Sequence, residues 1–115
     1  MNVVVVRGAL SSAPEVRQLP AGGSVVNYEV TVRRTDGPAE GVPVVQYDET
    51  SSPFDEGAEV VVIGRVRRRF FRAGGVTQSR TEVVAEHVFP ATRRRRITSA
   101  LARAASDLER WEQAE

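Results

Sequence analysis

Alternation of apolar and polar side chains is the feature that most limits how this chain can fold. Within residues 24–34, apolar side chains stand at every second position, at Val26, Tyr28, Val30 and Val32. A period of two places these side chains on one face of an extended strand, whereas a helix would scatter them around its surface. The segment therefore predicts a strand with one face in a core, and it predicts Tyr28 inside that core.

Further strands are predicted wherever β-branched segments are bounded by glycine, proline or polar residues. Such segments occupy residues 2–7, 42–49, 58–71 and 76–89. Gly64 interrupts one of them, at a point where a barrel strand would bend. Residues 11–24 contain Pro14, Pro20 and a glycine pair, so we expect an extended, turn-rich connection there. Residues 50–57 favour at most one helical turn, capped by a serine.

Five strands with no long helix between them predict a small antiparallel barrel or sandwich, an all-β fold. From residue 92 the sequence becomes rich in alanine, and apolar residues recur at spacings of four and three, at Ile97, Leu101, Ala104, Leu108 and Trp111. This spacing is typical of a helix with one apolar seam. Arginines near its start and acids near its end oppose the helix dipole, so the seam needs a partner surface. The chain thus divides into a β-domain, residues 1–91, and a basic linker with an amphipathic helix, residues 92–115.

Composition excludes several kinds of active site. Cysteine is absent, which rules out disulfides, thiolate metal sites and thiol catalysis. His87 is the single histidine, and we interpret it as structural. No serine or threonine has a recognisable activating base, and no glycine-rich loop carries a phosphate-binding lysine. We therefore expect no catalysis, metal or cofactor. The apolar N-terminus is too short to span a membrane and lacks an export leader, so we expect a cytoplasmic protein.

Arginine is distributed unevenly along the chain. All 16 basic residues are arginine, and the clusters lie in residues 65–72 and 93–96. In an extended strand, the side chains of Arg65, Arg67, Arg69 and Phe71 share one face, and Phe70 faces the opposite way, which predicts that Phe70 lies in the core. Guanidinium groups bind phosphate, and an aromatic ring stacks on a base. The alternative is a solvated sheet edge that blocks aggregation.

Four stretches, taken together, resemble the bacterial single-stranded DNA-binding protein family. They are NVVVVRGAL, PEVRQLPAGGSVVNYEV, EGAEVVVIGRVRRRFF and RTEVVAEHV, which follow the family's order across residues 2–90. The resemblance implies a five-stranded OB-fold barrel, here with an appended C-terminal helix, that assembles into dimers or tetramers. It also implies sequence-independent binding of single-stranded DNA in replication, recombination or repair, at the nucleoid.

The resemblance assigns roles to individual residues. Phe71 and Tyr47 match aromatic positions on which bases stack, whereas Asp36 and Gly41 stand where the family has further aromatics. The candidate nucleic-acid-binding residues are Arg33, Arg34, Tyr47, Arg65, Arg67, Arg69, Phe71 and Arg72.

Two features favour an alternative function. Fewer aromatic residues occupy the base-stacking positions than in the family, and a helix ending in RWEQAE stands where the family has a glycine-rich tail with an acidic tip. Tail-mediated recruitment of repair proteins is therefore not expected. The alternative is an OB-fold protein-interaction module that has lost most base stacking and works through the helix seam. Residues 93–96 have three interpretations: an extension of the DNA track, a contact for an acidic partner, or a solubilising helix start.

Overall fold

The barrel closes because its first strand pairs with two others. The computed structural model describes residues 1–114, with side chains up to Glu112. Its elements are β1 (Val4–Leu10), β2 (Glu15–Gln18), β3 (Ser24–Val32), β4 (Glu40–Tyr47), β5 (Glu59–Ala73), β6 (Val76–Pro90) and α1 (Arg94–Ala114). The strand order is β1-β5-β6-β4-β3-β2, and β1 also pairs with β3. The all-β prediction with an appended helix is confirmed, and Glu115 lies outside the described residues.

Valine fills the interior of the barrel. Val26, Val30, Val44 and other valines of β3 to β6 are buried together with Tyr28, as the alternation in β3 predicts. Burying one such side chain stabilises the fold by about 1.5–3 kcal/mol. The Phe54 ring meets the Tyr28 ring edge-on, with centroids 6.3 Å apart, and packs against the barrel core.

A bulge in β6 lies opposite the Ile63–Gly64 step of β5. Ile63 pairs with His87, but Gly64 pairs with Ala85, so one extra residue of β6 is accommodated here. A Cβ atom on Gly64 would collide with the backbone carbonyl of Val84, which restricts this position to glycine. Past the bulge, Val83 and Val84 of β6 are still buried and pair with β4. Beyond Glu82, β5 and β6 continue as a largely exposed two-stranded arm to the turn at residues 74–75. Both turn glycines have positive φ, 59° and 78°, as tight hairpin turns require.

One local prediction was wrong, and one helical turn that the sequence allowed does not form. Residues 15–18 pair with β3 as the short strand β2 at the sheet edge, whereas a connection was expected. All four residues of β2 are exposed, so no apolar alternation marked the strand. Residues 50–57 contain no helical turn. The hydroxyl of Ser52 instead accepts hydrogen bonds from the Tyr28 hydroxyl and the Phe54 amide, which fixes a turn that directs Phe54 to the barrel.

The helix α1 packs on the outside of β5, and the predicted seam is only partly correct. Ala100 is buried against Val61 and Ile63, with Ile97 beside it. Leu101, Leu108 and Trp111 point away and are 39%, 45% and 49% exposed. The contact face of α1 is therefore centred on Ala100 and rotated away from the large apolar residues. No helix among residues 1–114 combines the length and apolar character that crossing a membrane requires.

Candidate nucleic-acid interface

The outer face of the β5–β6 arm brings most of the predicted site residues together. Across the two strands, Arg67 pairs with Glu82, and Arg69 pairs with Arg80. Tyr47, at the end of β4, reaches the same face because the Nη2 of Arg67 donates a hydrogen bond of 2.7 Å to its hydroxyl. The arginine face is defined here as Tyr47, Arg65, Arg67, Arg69, Phe71, Arg80 and Glu82.

Glu82 is the centre of the arginine face. Its carboxylate lies 2.5 Å from Nη2 of Arg67, 3.3 Å from Nε of Arg69 and 3.4 Å from Nε of Arg80. The residue is only 1% exposed, because the guanidinium groups cover it from the solvent side. Arg67 and Arg69 donate hydrogen bonds to this carboxylate, whereas Arg80 is ion-paired with it and donates its hydrogen bond to Glu29. Three arginines against two carboxylates leave the cluster with a net positive charge.

The charges of this cluster persist at neutral pH. Burial alone raises the pKa of the Glu82 carboxyl, but hydrogen bonds from Arg67 and Arg69, with their charges, lower the pKa by more, so the net shift is downward from 4.5. The pKa of Arg67 is raised, first by its hydrogen bond to Tyr47 and then by Glu82. Arg67 therefore stays a fixed cation between a phenol and a carboxylate.

An arginine side chain lies over each aromatic ring of the arginine face. The Arg67 guanidinium carbon lies 5.4 Å from the Tyr47 ring centroid, and that of Arg69 lies 5.3 Å from the Phe71 centroid. Contacts of this kind are favourable by about 0.5–1 kcal/mol at exposed sites. They orient the rings and arginines together, with charge and ring side by side on one surface.

The family comparison identifies the chain. The model of the single-strand binding protein family matches residues 1–90. The chain belongs to this family. Membership makes the barrel an OB-fold and supports binding of single-stranded DNA in general. Proteins of this family are non-enzymatic DNA-binding proteins. The match ends at the last residue of β6, so α1 lies outside the part that the family shares.

In this member of the single-strand binding protein family, Phe70 and Arg72 lie outside the arginine face. Phe70 was predicted in the core but is 66% exposed, since the arm projects beyond the barrel and has no core beneath its second face. Arg68 covers that ring at 5.2 Å. Arg72 is on the second face too, where its Nη2 donates a hydrogen bond to the carbonyl of Gly75 and braces the turn.

Arg33 and Arg34 follow the end of β3, away from Tyr47. The β3–β4 register pairs Tyr47 with Val25, at the start of β3, so the two arginines are at the far end of that hairpin. Arg34 pairs with Asp36 at 3.1 Å and with Glu40 at 3.8 Å, which balances its charge. Arg33 is exposed.

Glu82 and Arg80 are functional candidates that the sequence patterns did not single out. Antiparallel pairing counted outward from the Gly74–Gly75 turn places Glu82 opposite Arg67 and Arg80 opposite Arg69. Recognising the glycine pair as a two-residue hairpin turn was the signal that could have found both. Arg80 also reaches Glu29 on β3, 3.4 Å away.

Proposed function

We propose that this chain binds single-stranded DNA without sequence preference through its arginine face. It acts in replication, recombination or repair, at the nucleoid, as a homo-oligomer, and it uses neither a cofactor nor a catalytic residue. Arg65, Arg69 and Arg80 supply charge for phosphates, and Tyr47 and Phe71 supply rings for bases. Arg67 positions the others through its contacts with Tyr47 and Glu82.

The convergence of Arg67, Arg69 and Arg80 on Glu82 is the observation that carries the proposal. A solvated sheet edge needs charge but does not need three arginines ion-paired with one buried carboxylate, two of them hydrogen-bonded to it and also against aromatic rings. Fixed guanidinium groups lose little conformational freedom on binding, which favours affinity. Phosphate contacts of this kind are independent of sequence and weaken as salt rises.

The aromatic rings favour a single strand over a duplex. Stacking on Phe71 requires the face of an unpaired base, and a base inside a duplex hides that face between its neighbours. One base–aromatic stack stabilises a complex by about 1–3 kcal/mol, and any base can form it. The combination of rings and cations therefore predicts a preference for unpaired nucleotides.

The sharpest test compares the two neighbouring phenylalanines of β5. Phe71→Ala removes a ring from the arginine face, and we expect a labelled oligo-dT to bind about 5- to 150-fold more weakly by fluorescence anisotropy. Phe70→Ala is the matched control, because Phe70 is also exposed and arginine-covered but lies on the opposite face of the arm. Equal losses in the two variants, or no loss in either, contradict the proposed face.

A protein-interaction module is the second candidate, and the exposed side of α1 favours it. Leu101, Leu108 and Trp111 form an apolar surface that the barrel leaves uncovered. Val3 and Val5 at the first strand are exposed as well. These surfaces also suit the contacts of a homo-oligomer, and measurement of assembly separates the two uses.

A further inference from the structure

A groove between α1 and β6 carries rings and arginines outside the arginine face. It has a volume of about 340 Å³, at the lower end of the range for ligand clefts. His87 and Phe89 line it from β6, and Arg95, Arg96 and Arg103 line it from α1. We call this region the helix groove.

The two rings of the helix groove form a flat pair. His87 and Phe89 stack with centroids 5.0 Å apart and planes inclined by 13°. Both residues are half-buried, so each ring is supported by the protein on one side. Phe89 packs against the buried cluster of Val61, Ile63 and Ala100, which fixes its position. A supported aromatic pair at a groove is a surface on which a base stacks.

The charged side chains that line the helix groove are all positive. Its lining side chains, all within the described residues 87–103, include three arginines and no carboxylate. Arg94 is the contrast, because it does not line the helix groove and lines a cavity with Arg7 and Glu59 instead. The helix thus turns Arg95 and Arg96 toward the groove and Arg94 toward that cavity.

The helix groove is continuous with the arginine face. Arg65 of the arginine face and His87 and Arg103 of the helix groove line one small cavity of about 150 Å³, with Glu86 and Asp107. The arginine face alone extends along β5 from Arg65 to Phe71, which is six residue steps or about 20 Å. With the helix groove, the surface extends along β6 from Gln78 to Phe89, which is eleven steps or about 36 Å. Including the groove therefore nearly doubles the length of the surface that a strand can follow.

We propose that the helix groove is a second contact for the same DNA strand, with a base stacked on the His87–Phe89 pair and phosphates on Arg96 and Arg103. The inference rests on the proposed function of the arginine face and extends it beyond the part of the chain that the family shares. In this arrangement α1 lengthens the binding site of the OB-fold.

The test separates the two contacts by the length of the DNA. Oligo-dT of about 4 and about 12 nucleotides spans the lower and middle range of site sizes for one OB-fold. We expect Arg96→Gln to reduce the salt slope for the long oligonucleotide by about 0.7, one single-strand phosphate, and to leave the short one unchanged. Phe89→Leu keeps apolar packing but removes a ring, and we expect an affinity loss of about 5- to 150-fold for the long oligonucleotide alone.

The control is Arg94→Gln, which removes the same charge from a residue that does not line the helix groove. This variant should keep the wild-type salt slope for the long oligonucleotide. Equal effects of Arg94→Gln and Arg96→Gln overturn the inference, because they show a general effect of net charge. Unchanged binding of the long oligonucleotide by Arg96→Gln overturns it too, even if Phe89→Leu is unstable. If the wild-type chain binds neither length, the proposed function fails and this inference fails with it. If the wild type binds both lengths but the groove variants weaken both equally, only the groove is refuted.

Discussion

Neutralising Glu82 should change stability and DNA affinity in opposite directions. In Glu82→Gln the three arginines keep their positions but lose the charge that they surround. Removing one partner of a fully buried ion pair costs about 3–5 kcal/mol. Here the side chains of Arg67, Arg69 and Arg80 are 28%, 46% and 41% exposed, so solvent screens part of their repulsion. We expect a loss of about 1–3 kcal/mol in the free energy of unfolding.

Binding to DNA should respond the other way. The freed guanidinium charge becomes available to a phosphate, so oligo-dT affinity rises and the salt slope steepens by about 0.7, the value for one phosphate on a single strand. Urea unfolding measures the first effect, and anisotropy titration at several salt concentrations measures the second. Glu56→Gln is the matched control, since it makes the same change in net charge at an exposed residue outside the arginine face and the helix groove.

The pH dependence of stability in the wild type and in Glu82→Gln gives an independent check of the role of Glu82. The pKa of Glu82 is lowered on folding, so its contribution to stability is present above the ordinary value of 4.5 and is lost as pH falls through the folded-state value. The stability difference between the wild type and Glu82→Gln should therefore shrink at acidic pH. A variant as stable as the wild type at pH 7, or a difference that is independent of pH, refutes the role given to Glu82.

Two further predictions concern the fold and its assembly. Gly64→Ala should lower the free energy of unfolding by about 2 kcal/mol or more, because the new Cβ collides with a backbone carbonyl, whereas Gly41→Ala, with open space around its Cβ, should be neutral or slightly stabilising in urea unfolding. Equal stability of the two variants contradicts the bulge. The double variant Leu101→Gln/Leu108→Gln should lower the mass seen by light scattering if α1 joins copies of the chain, and an unchanged mass excludes that side of the helix from assembly.

The barrel was predictable because burial leaves a regular trace in sequence. The alternation in β3 marks its inner face, and the glycine that interrupts β5, Gly64, lies opposite the bulge in β6. The strand β2 left no such trace, since both of its faces are exposed. The contact face of α1 was misjudged for a related reason: large apolar residues weigh most in a helical pattern, but the small Ala100 is the helix residue that is buried against β5.

The candidate site was predictable in composition and not in its connections. Alternation correctly placed Arg67, Arg69 and Phe71 on one face of β5. It did not show that Arg67 and Arg69 share Glu82, because that contact depends on the hairpin register and not on spacing within one strand. The exposure of Phe70 depends on how far the arm extends beyond the barrel, which no local pattern records.

Binding of oligo-dT in competition with duplex DNA, measured across a range of salt concentrations, tests the central claim most directly. We predict that the single strand binds more tightly than the duplex at every salt concentration and that its affinity falls as salt rises. Phe71→Ala should reduce the preference for the single strand. Equal affinity for duplex and single strand, or a preference that survives the loss of Phe71, contradicts this claim.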